Sequence, residues 1–492
     1  MRKSGILLPI FSLPNEYGIG DFGECAYRFV DFLSKSGQSY WQILPIGPTT
    51  VGDSPYQSPS AYGGNPYFIS PENLLKDGLL YKDEIGEKEN GKIIDYARLY
   101  NTRYIMLKKA FMRFDKNASD FTGFCEENKE WLPDHSLYLS LKKHFNLLPF
   151  NKWNDGIKHR VSSDLKHYRD RFSEEIEFHN FVQFRFYKEW FSLKKYANEK
   201  GVKIIGDIPI YVSYDSCDVW KNPKLFCLDD NLLPEAVAGC PPDDFAKDGQ
   251  LWGNPIYRWS EHKKDNYQWW KNRLSHSMTL FDVVRIDHFR GFDEYYAIPY
   301  GEDTARRGNW EKGPGMDLFE ALGDVAKQEN IIAEDLGFIT PSVKKLLRDT
   351  GYSGMKILQF AFDQRDDGEK SEHLPHNYPE KSVAYTGTHD NETLLGWVSG
   401  ISRNERDSVR HYLEDHFTPD EKLCYPLIAS VLKSPAEITV IPMQDYLELS
   451  NDARINTPGK AFGNWNFRLN PASLSDELAD RIRKMTKIYG RI

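Results

Sequence analysis

Eight short apolar runs, most of them ending in polar or charged residues, constrain this chain more than any other feature. They occupy residues 6–9, 39–45, 202–207, 281–287, 331–335, 355–360, 383–387 and 438–442. Continuous apolar stretches of this length are what strands buried on both faces look like, as in parallel sheets. Helix signals lie between several of them. Thr340 and Pro341 stand in N-cap and N1 positions before SVKKLLRDTG, which Gly351 closes, and Asp317 with Glu320 has capping-box spacing before LFEALGDVAK. Buried strands alternating with helices predict parallel βα units. Eight of them predict an α/β chain folded as a (β/α)8 TIM barrel, whose chemistry belongs at the C-terminal ends of the strands.

The spacing of the runs is uneven, and the unevenness describes the rest of the chain. Roughly 150 residues separate the second run from the third, far more than one crossover needs. Residues 72–200 are therefore expected to form a mostly helical insertion, with apolar residues at helical spacing in SLYLSLKKHF and FHNFVQFRFYKEWFSLKKYANEK. Residues 211–259, rich in Pro, Asp and Gly, read as a second, irregular insertion lining the cleft. About 50 residues follow the eighth run, too few for a separate C-terminal β-sandwich of the usual ~100 residues, so the chain reads as one catalytic barrel spanning 1–492.

Composition excludes several classes of partner. The chain has 63 Lys and Arg against 72 Asp and Glu, a formal charge of -9, which argues against nucleic acid held through phosphates. No run approaches the ~20 apolar residues of a membrane span, so no membrane partner is expected. The six cysteines, Cys25, Cys125, Cys217, Cys227, Cys240 and Cys424, form no Cys-x-x-Cys pair, which disfavours a zinc knuckle and a disulfide framework. A cytoplasmic protein, monomeric or homodimeric and without a metal, is the expectation.

The stretch FDVVRIDHFRGF, residues 281–292, raises the functional question. Arg285 and Asp287 fall on one face because side chains alternate along a strand. The other runs end in a similar way: Asp207 closes IIGD, Glu334 and Asp335 close IIAED, and His389-Asp390 follow VAYTGT. Five carboxylates are thus expected to converge on one barrel rim, with Arg285 and His389 as balancing donors. Charges at apolar strand ends are costly unless paired, so such a set points to chemistry. Two carboxyls of unlike pKa suit glycosidic bond cleavage, one as acid and one as nucleophile. Arg285 would favour the charged form of Asp287, and Glu334, among apolar neighbours, is the candidate for a raised pKa. Asp390 with His389 could hold substrate hydroxyls. The rim loops DSPYQSPSAYGGNPY and PPDDFAKDGQLWGNPIYRW offer Tyr56 and Trp252 as rings able to cover a sugar face.

Taken as an ordered set, SPYQSPSAYGGNP, GDIPIYV, PPDDF...GQLWGNP, FDVVRIDHFRGF, IIAEDLG, TGTHDNET and INTPGK...GNWNFR resemble the 4-alpha-glucanotransferases, also called amylomaltases or disproportionating enzymes, relatives of the alpha-amylases. The resemblance runs from about Gly5 to the C-terminus. It implies Asp287 as nucleophile, Glu334 as general acid/base and Asp390 as transition-state stabiliser. Arg285 and His389 match supporting positions, Tyr56 and Trp252 sugar-contacting ones, and Asp207 a position near the site. Asn464 lies in a loop that, with the loop around Trp252, favours transfer over hydrolysis. Cys240, Lys460 and Phe467 stand where Val, Thr and Trp are more usual, outside the catalytic trio.

From the residues alone, a transferase and a hydrolase share the same carboxylates and stay undecided. A metal-dependent hydrolase would want several His ligands, and only His288 and His389 are near. A non-catalytic glucan-binding protein would need the aromatic residues without the acids. The resemblance implies transfer of α-1,4-glucan segments among maltooligosaccharides, with glucose as an acceptor, and no cofactor.

Overall fold

The computed structural model describes residues 2–50, 52–86, 88–89, 91–242, 247–362 and 371–492. Its centre is one sheet of eight parallel strands: β1 (Lys3–Leu7), β2 (Tyr40–Gln42), β3 (Lys203–Ile208), β4 (Val283–Ile286), β5 (Ile331–Ala333), β6 (Gly354–Ile357), β7 (Ser382–Tyr385) and β8 (Ile438–Pro442). Each corresponds to one of the eight apolar runs. The strands pair in chain order, and β8 returns to β1 with Lys3 opposite Ile438. Between β5 and β6 the join is a single bridge, Ile332 to Ser353, with the Ala333 N–H donating to the Ser353 carbonyl at 2.9 Å. The barrel is a nearly closed (β/α)8 TIM barrel.

Its strands are buried almost throughout, which is why they read as unbroken apolar runs. Inside the barrel the Tyr385 hydroxyl donates to Gln42 Oε1 at 2.9 Å. Gly206 on β3 has a steric cause: a Cβ there would lie 2.1 Å from the Phe281 ring, which leads into the next strand.

The 160 residues between β2 and β3 hold helices including Tyr96–Arg113, Ser119–Glu127, Leu132–His144, Ser162–Arg171 and Ser173–Glu199. Ser173–Glu199 is 27 residues long and buries Phe178, Phe181, Phe184, Phe186 and Trp190, so apolar contact rather than intrinsic propensity carries it. Residues 211–259 are more regular than their composition predicts. They carry strands Ala236–Cys240 and Gln250–Pro255, which join Glu294–Pro299 and Asn309–Lys312 in a four-stranded antiparallel sheet.

Two helix signals fare differently. Thr340 caps helix Pro341–Thr350 by accepting from the Val343 N–H, and Gly351 ends it in a left-handed conformation. Asp317 is not a cap: helix Met316–Leu322 begins one residue earlier, after Gly315, and Gly323 breaks it at φ 51°. The two glycines set the helix ends and override the capping-box pattern.

Opposite the site, the C-terminal turn closes the barrel floor. The fully buried Arg491 donates to the carbonyls of Leu432, Ser434, Ala436 and Lys3, tying the chain's end to the start of β1 and the approach to β8. Among the described residues, no helix is long and apolar enough to cross a membrane.

Candidate active site

The register of β3 and β4 places Asp207 directly opposite Arg285, so the two meet on neighbouring strands. Arg285 Nη1 contacts Asp207 Oδ2 at 2.6 Å, and Nη2 contacts Asp287 Oδ1 at 2.9 Å. One guanidinium thus bridges two strand-end carboxylates, the geometry for which its planar fork is suited. Burial works against the charge of Arg285, and Asp207 followed by Asp287 more than restores it, so the group stays protonated.

Just past Asp287 the chain turns left-handed at His288, φ 52°. This turn aims the His288 N–H at Glu334 Oε2, at 2.7 Å, while the Leu336 N–H reaches Glu334 Oε1 at 2.9 Å. Backbone bonds from the Glu334 N–H to the Ile286 carbonyl and from the Phe289 N–H to the Glu334 carbonyl, both 3.0 Å, fasten the ends of β4 and β5 together. Burial pushes both Asp287 and Glu334 above the ordinary carboxylate range, and Arg285 opposes the rise at each. The expectation that Arg285 sets the state of Asp287 therefore needs amending: burial is the larger influence. The two acids titrate as an interacting pair rather than singly.

Tyr56 links this cluster to the end of β7. Its hydroxyl donates to Asp207 Oδ2 at 2.7 Å, and its ring stacks on His389 with centroids 5.2 Å apart and planes 15° from parallel. Burial, and then Asp207, keep Tyr56 a neutral phenol. Burial lowers the His389 pKa while Asp390 opposes it, with His389 Nε2 3.3 Å from Asp390 Oδ1. Side-chain exposure rises from 0% at Asp207 to 28% at Asp287 and 43% at Asp390. Asp207 is thus a sealed anchor, while the other two face space a substrate can enter.

Trp252 approaches from the antiparallel sheet. Its ring meets His288 edge-on at 4.8 Å, and its Nε1–H donates to Gln250 Oε1 at 3.1 Å. Gln57, beside Tyr56, fixes this wall by donating to Asn254 Oδ1 at 3.0 Å and to the Trp252 carbonyl. Burial drives His288 down to about 3, so a neutral imidazole faces Trp252.

Two sequence-predicted residues stand apart. Asp335 does not join the rim carboxylates. It accepts from the Met355 N–H at 2.6 Å and lies 4.0 Å from Lys356 Nζ, held by β6. The cause is the alternation of side chains, which sends neighbouring Glu334 and Asp335 to different partners. Asn464 organises its own loop, accepting from the Thr457 N–H at 2.9 Å and donating to the Lys460 carbonyl at 2.8 Å.

The strand-end reading missed Arg454, Asn456 and Trp465. Trp465 is buried beside Tyr56 and His389, with ring centroids 5.8 and 5.9 Å away. Asn456 donates to Asp390 Oδ1 at 2.6 Å. All three lie beyond β8, Asn456 and Trp465 in the stretch INTPGK...GNWNFR and Arg454 just before it. Among the described residues, no group of three or more His, Cys, Asp or Glu is arranged to hold a metal ion.

Comparison with known proteins shows the family. A sequence model of the family described as 4-alpha-glucanotransferase matches residues 8–475. The 4-alpha-glucanotransferase of Clostridium butyricum is 47% identical over 98% of this chain and 99% of its own, and that of Thermus thermophilus 42% identical over 100% and 99%. Among solved structures, an amylomaltase from Streptococcus agalactiae in complex with acarbose superposes with a TM-score of 0.96, at 40% identity and full coverage of both chains. Full-length similarity at this level, on a barrel whose strand ends carry these acids, makes the chain a member of the 4-alpha-glucanotransferase family, glycosyltransferases acting on α-1,4-glucans.

Proposed function

We propose that the chain transfers segments of an α-1,4-glucan to the 4-hydroxyl of glucose or a maltooligosaccharide by a retaining double displacement. The observation that carries this reading is the Asp207–Arg285–Asp287 bridge on β3 and β4, with Glu334 tied by backbone bonds to the same turn. Paired acids fastened to adjacent strand ends are the equipment that glycosidic exchange needs.

In the first step Asp287 attacks the anomeric carbon, and Glu334 gives its proton to the departing glycosidic oxygen. The direct ion pair with Arg285 favours negative charge on Asp287 once substrate occupies the cleft. Burial raises Glu334 and Asp287 alike, so the choice of Glu334 as the proton holder rests on the ion pair that Arg285 makes directly with Asp287. The reducing-end portion leaves, and the donor segment remains as a covalent ester. In the second step Glu334 takes the proton of the acceptor 4-hydroxyl, which attacks the same carbon and frees Asp287. Asp390 bonds sugar hydroxyls as positive charge develops on the ring. One α-1,4 bond is broken and one is made, so the exchange is nearly thermoneutral and needs no cofactor.

Tyr56 and Trp252 cover sugar faces on either side of the acids, and displace the water that would otherwise intercept the ester. A donor long enough to fold its own non-reducing end back onto the ester closes into a ring, giving cycloamylose. The S. agalactiae amylomaltase was solved with acarbose, and the same class of α-linked oligosaccharide is our assignment for this cleft. Every group invoked comes from one chain. Free thiols at Cys25, Cys125, Cys217, Cys227 and Cys424 fit a reducing compartment, and the cytoplasm completes the proposal.

Incubation with maltotriose alone, without added metal, tests the reading. A ladder of longer oligomers with free glucose, at constant total reducing ends, is the expected result. Shortening with rising reducing ends would replace transfer by hydrolysis, and unchanged maltotriose would overturn the assignment.

A further inference from the structure

Asp390 is the most exposed of the three proposed catalytic acids, and a segment distant in sequence holds it. Asn456 Nδ2 donates to its Oδ1 at 2.6 Å. The same segment grips the main chain there: Arg454 Nη2 donates to the Asp390 carbonyl at 2.6 Å, and the Asn456 N–H to the His389 carbonyl at 3.1 Å. Arg454 Nε donates to the carbonyl of Asn456 at 2.6 Å, which locks the two holding residues to each other.

We infer that Asn456 is a positioning residue for the transfer reaction, fixing the carboxylate of Asp390 through its amide while Arg454 fixes the backbone beneath it. The inference rests on the reading of Asp390 as transition-state stabiliser.

The physical need is clear from the surroundings. An exposed carboxylate on a loop rotates freely and must be ordered afresh in each turnover unless something holds it beforehand. His389 is the other neighbour, but burial disfavours its charged form, leaving a single neutral N–H that also depends on tautomer. The amide of Asn456 donates at every working pH. It leaves Oδ2 of Asp390 free for a sugar hydroxyl. The Asn456 loop is itself braced by Asn464 through Thr457 and Lys460, so the donor is rigid.

Steady-state kinetics on maltotriose test the claim. Asn456→Ala is expected to lower kcat about 10- to 100-fold, with KM within about 3-fold, because misaiming a catalytic group acts on the transition state more than on ground-state binding. Asn456→Asp provides the readout that a merely structural role would not move. Near pH 7.5 its new carboxylate faces Asp390 without a proton to donate, and the variant is as poor as Asn456→Ala. Lowered toward pH 5, its activity relative to the parent protein rises several-fold as the new carboxyl regains an O–H.

A pH-independent ratio for Asn456→Asp, or a kcat for Asn456→Ala within two-fold of the parent, overturns the inference. Asp390→Asn measured alongside separates the two claims. If it keeps its rate, the role of Asp390 fails and this inference falls with it. If it loses its rate while Asn456→Ala keeps its own, the positioning claim alone falls.

Discussion

Among the described residues, the cluster of buried acids and arginine at the barrel rim and the one under the helical insertion are built to opposite ends. At the barrel rim, Arg285 bridges Asp207 and Asp287 beside Glu334, and the cluster opens toward solvent at Asp287. Under the helical insertion, Glu189 on helix Ser173–Glu199 contacts Arg185 at 3.1 Å, and Asp21 and Arg103 are buried with them. There the acids bond structural groups. Glu189 accepts from the Ser70 N–H at 2.9 Å and from Asn73 Nδ2 at 3.1 Å, and Asp21 from the Gly23 N–H at 2.8 Å. Burial raises carboxyl pKa in both places, to about 7 at Glu189 and about 6 at Asp21. A raised pKa is therefore no mark of catalysis by itself. What separates the clusters is whether an acid has free lone pairs facing a cleft.

The comparison breaks if the two clusters respond alike to substitution. Asp287→Asn carries the largest expected effect: transfer from maltotriose falls by about 10⁴-fold or more, while the melting temperature stays within about 3 °C. A variant keeping a tenth of the parent rate would remove Asp287 from the nucleophile role. Arg285→Gln comes next, with a loss of about 10²- to 10³-fold. Since Arg285 opposes the rise in the Asp287 and Glu334 pKa values, its removal should move the acid limb of the kcat/KM profile to higher pH. An unmoved limb would show that burial alone sets the pair.

Glu189→Ala should do the reverse, costing about 3 kcal/mol of stability by leaving buried Arg185 and the Ser70 N–H without their acceptor, while leaving kcat unchanged. Its pH signature sharpens the contrast. Glu189 holds its proton up to about pH 7 when folded, against ~4.3 for an unperturbed glutamate. Its stabilising contribution is thus complete below pH ~4 and is lost as pH rises through about 7. Two other buried groups of the same insertion, His135 and His179, lowered by burial to about 3 and about 4, act in the opposite sense and lose stability as pH falls below ~6.5. The expected observation is therefore a difference: between pH ~5 and 7, denaturant midpoints of Glu189→Gln decline less with rising pH than those of the parent.

The contrast also explains what could be read from the sequence. The eight barrel strands were legible because burial on both faces writes each one as a local apolar run, and Asp207, Asp287 and Glu334 were legible as breaks at the ends of those runs. The antiparallel sheet was not. Gln250–Pro255 is half exposed and carries glycine and proline, and its partner Ala236–Cys240 is in turn held by Glu294–Pro299, more than 50 residues further on. Asp335 was misread because one step along the chain changes a side chain's partners, and no composition signal reports that step. Asn456 and Trp465 were seen only as parts of a familiar motif. Their roles depend on a loop beyond β8 folding back onto β7, which leaves no periodic trace.

The pairing of β1 with β8 has a further consequence, one of timing. Roughly 430 residues separate these neighbours, and the Arg491 side chain that seals their floor belongs to the penultimate residue of the sequence. At ~5–20 residues per second, a ribosome needs roughly 20–90 s between delivering β1 and delivering its second partner. Throughout that interval one edge of β1 has main-chain donors and acceptors without a mate. The helical insertion is made within the same interval, and in the finished fold its helix Ser173–Glu199 packs against helix Glu24–Lys35 and β3, both delivered well before β8.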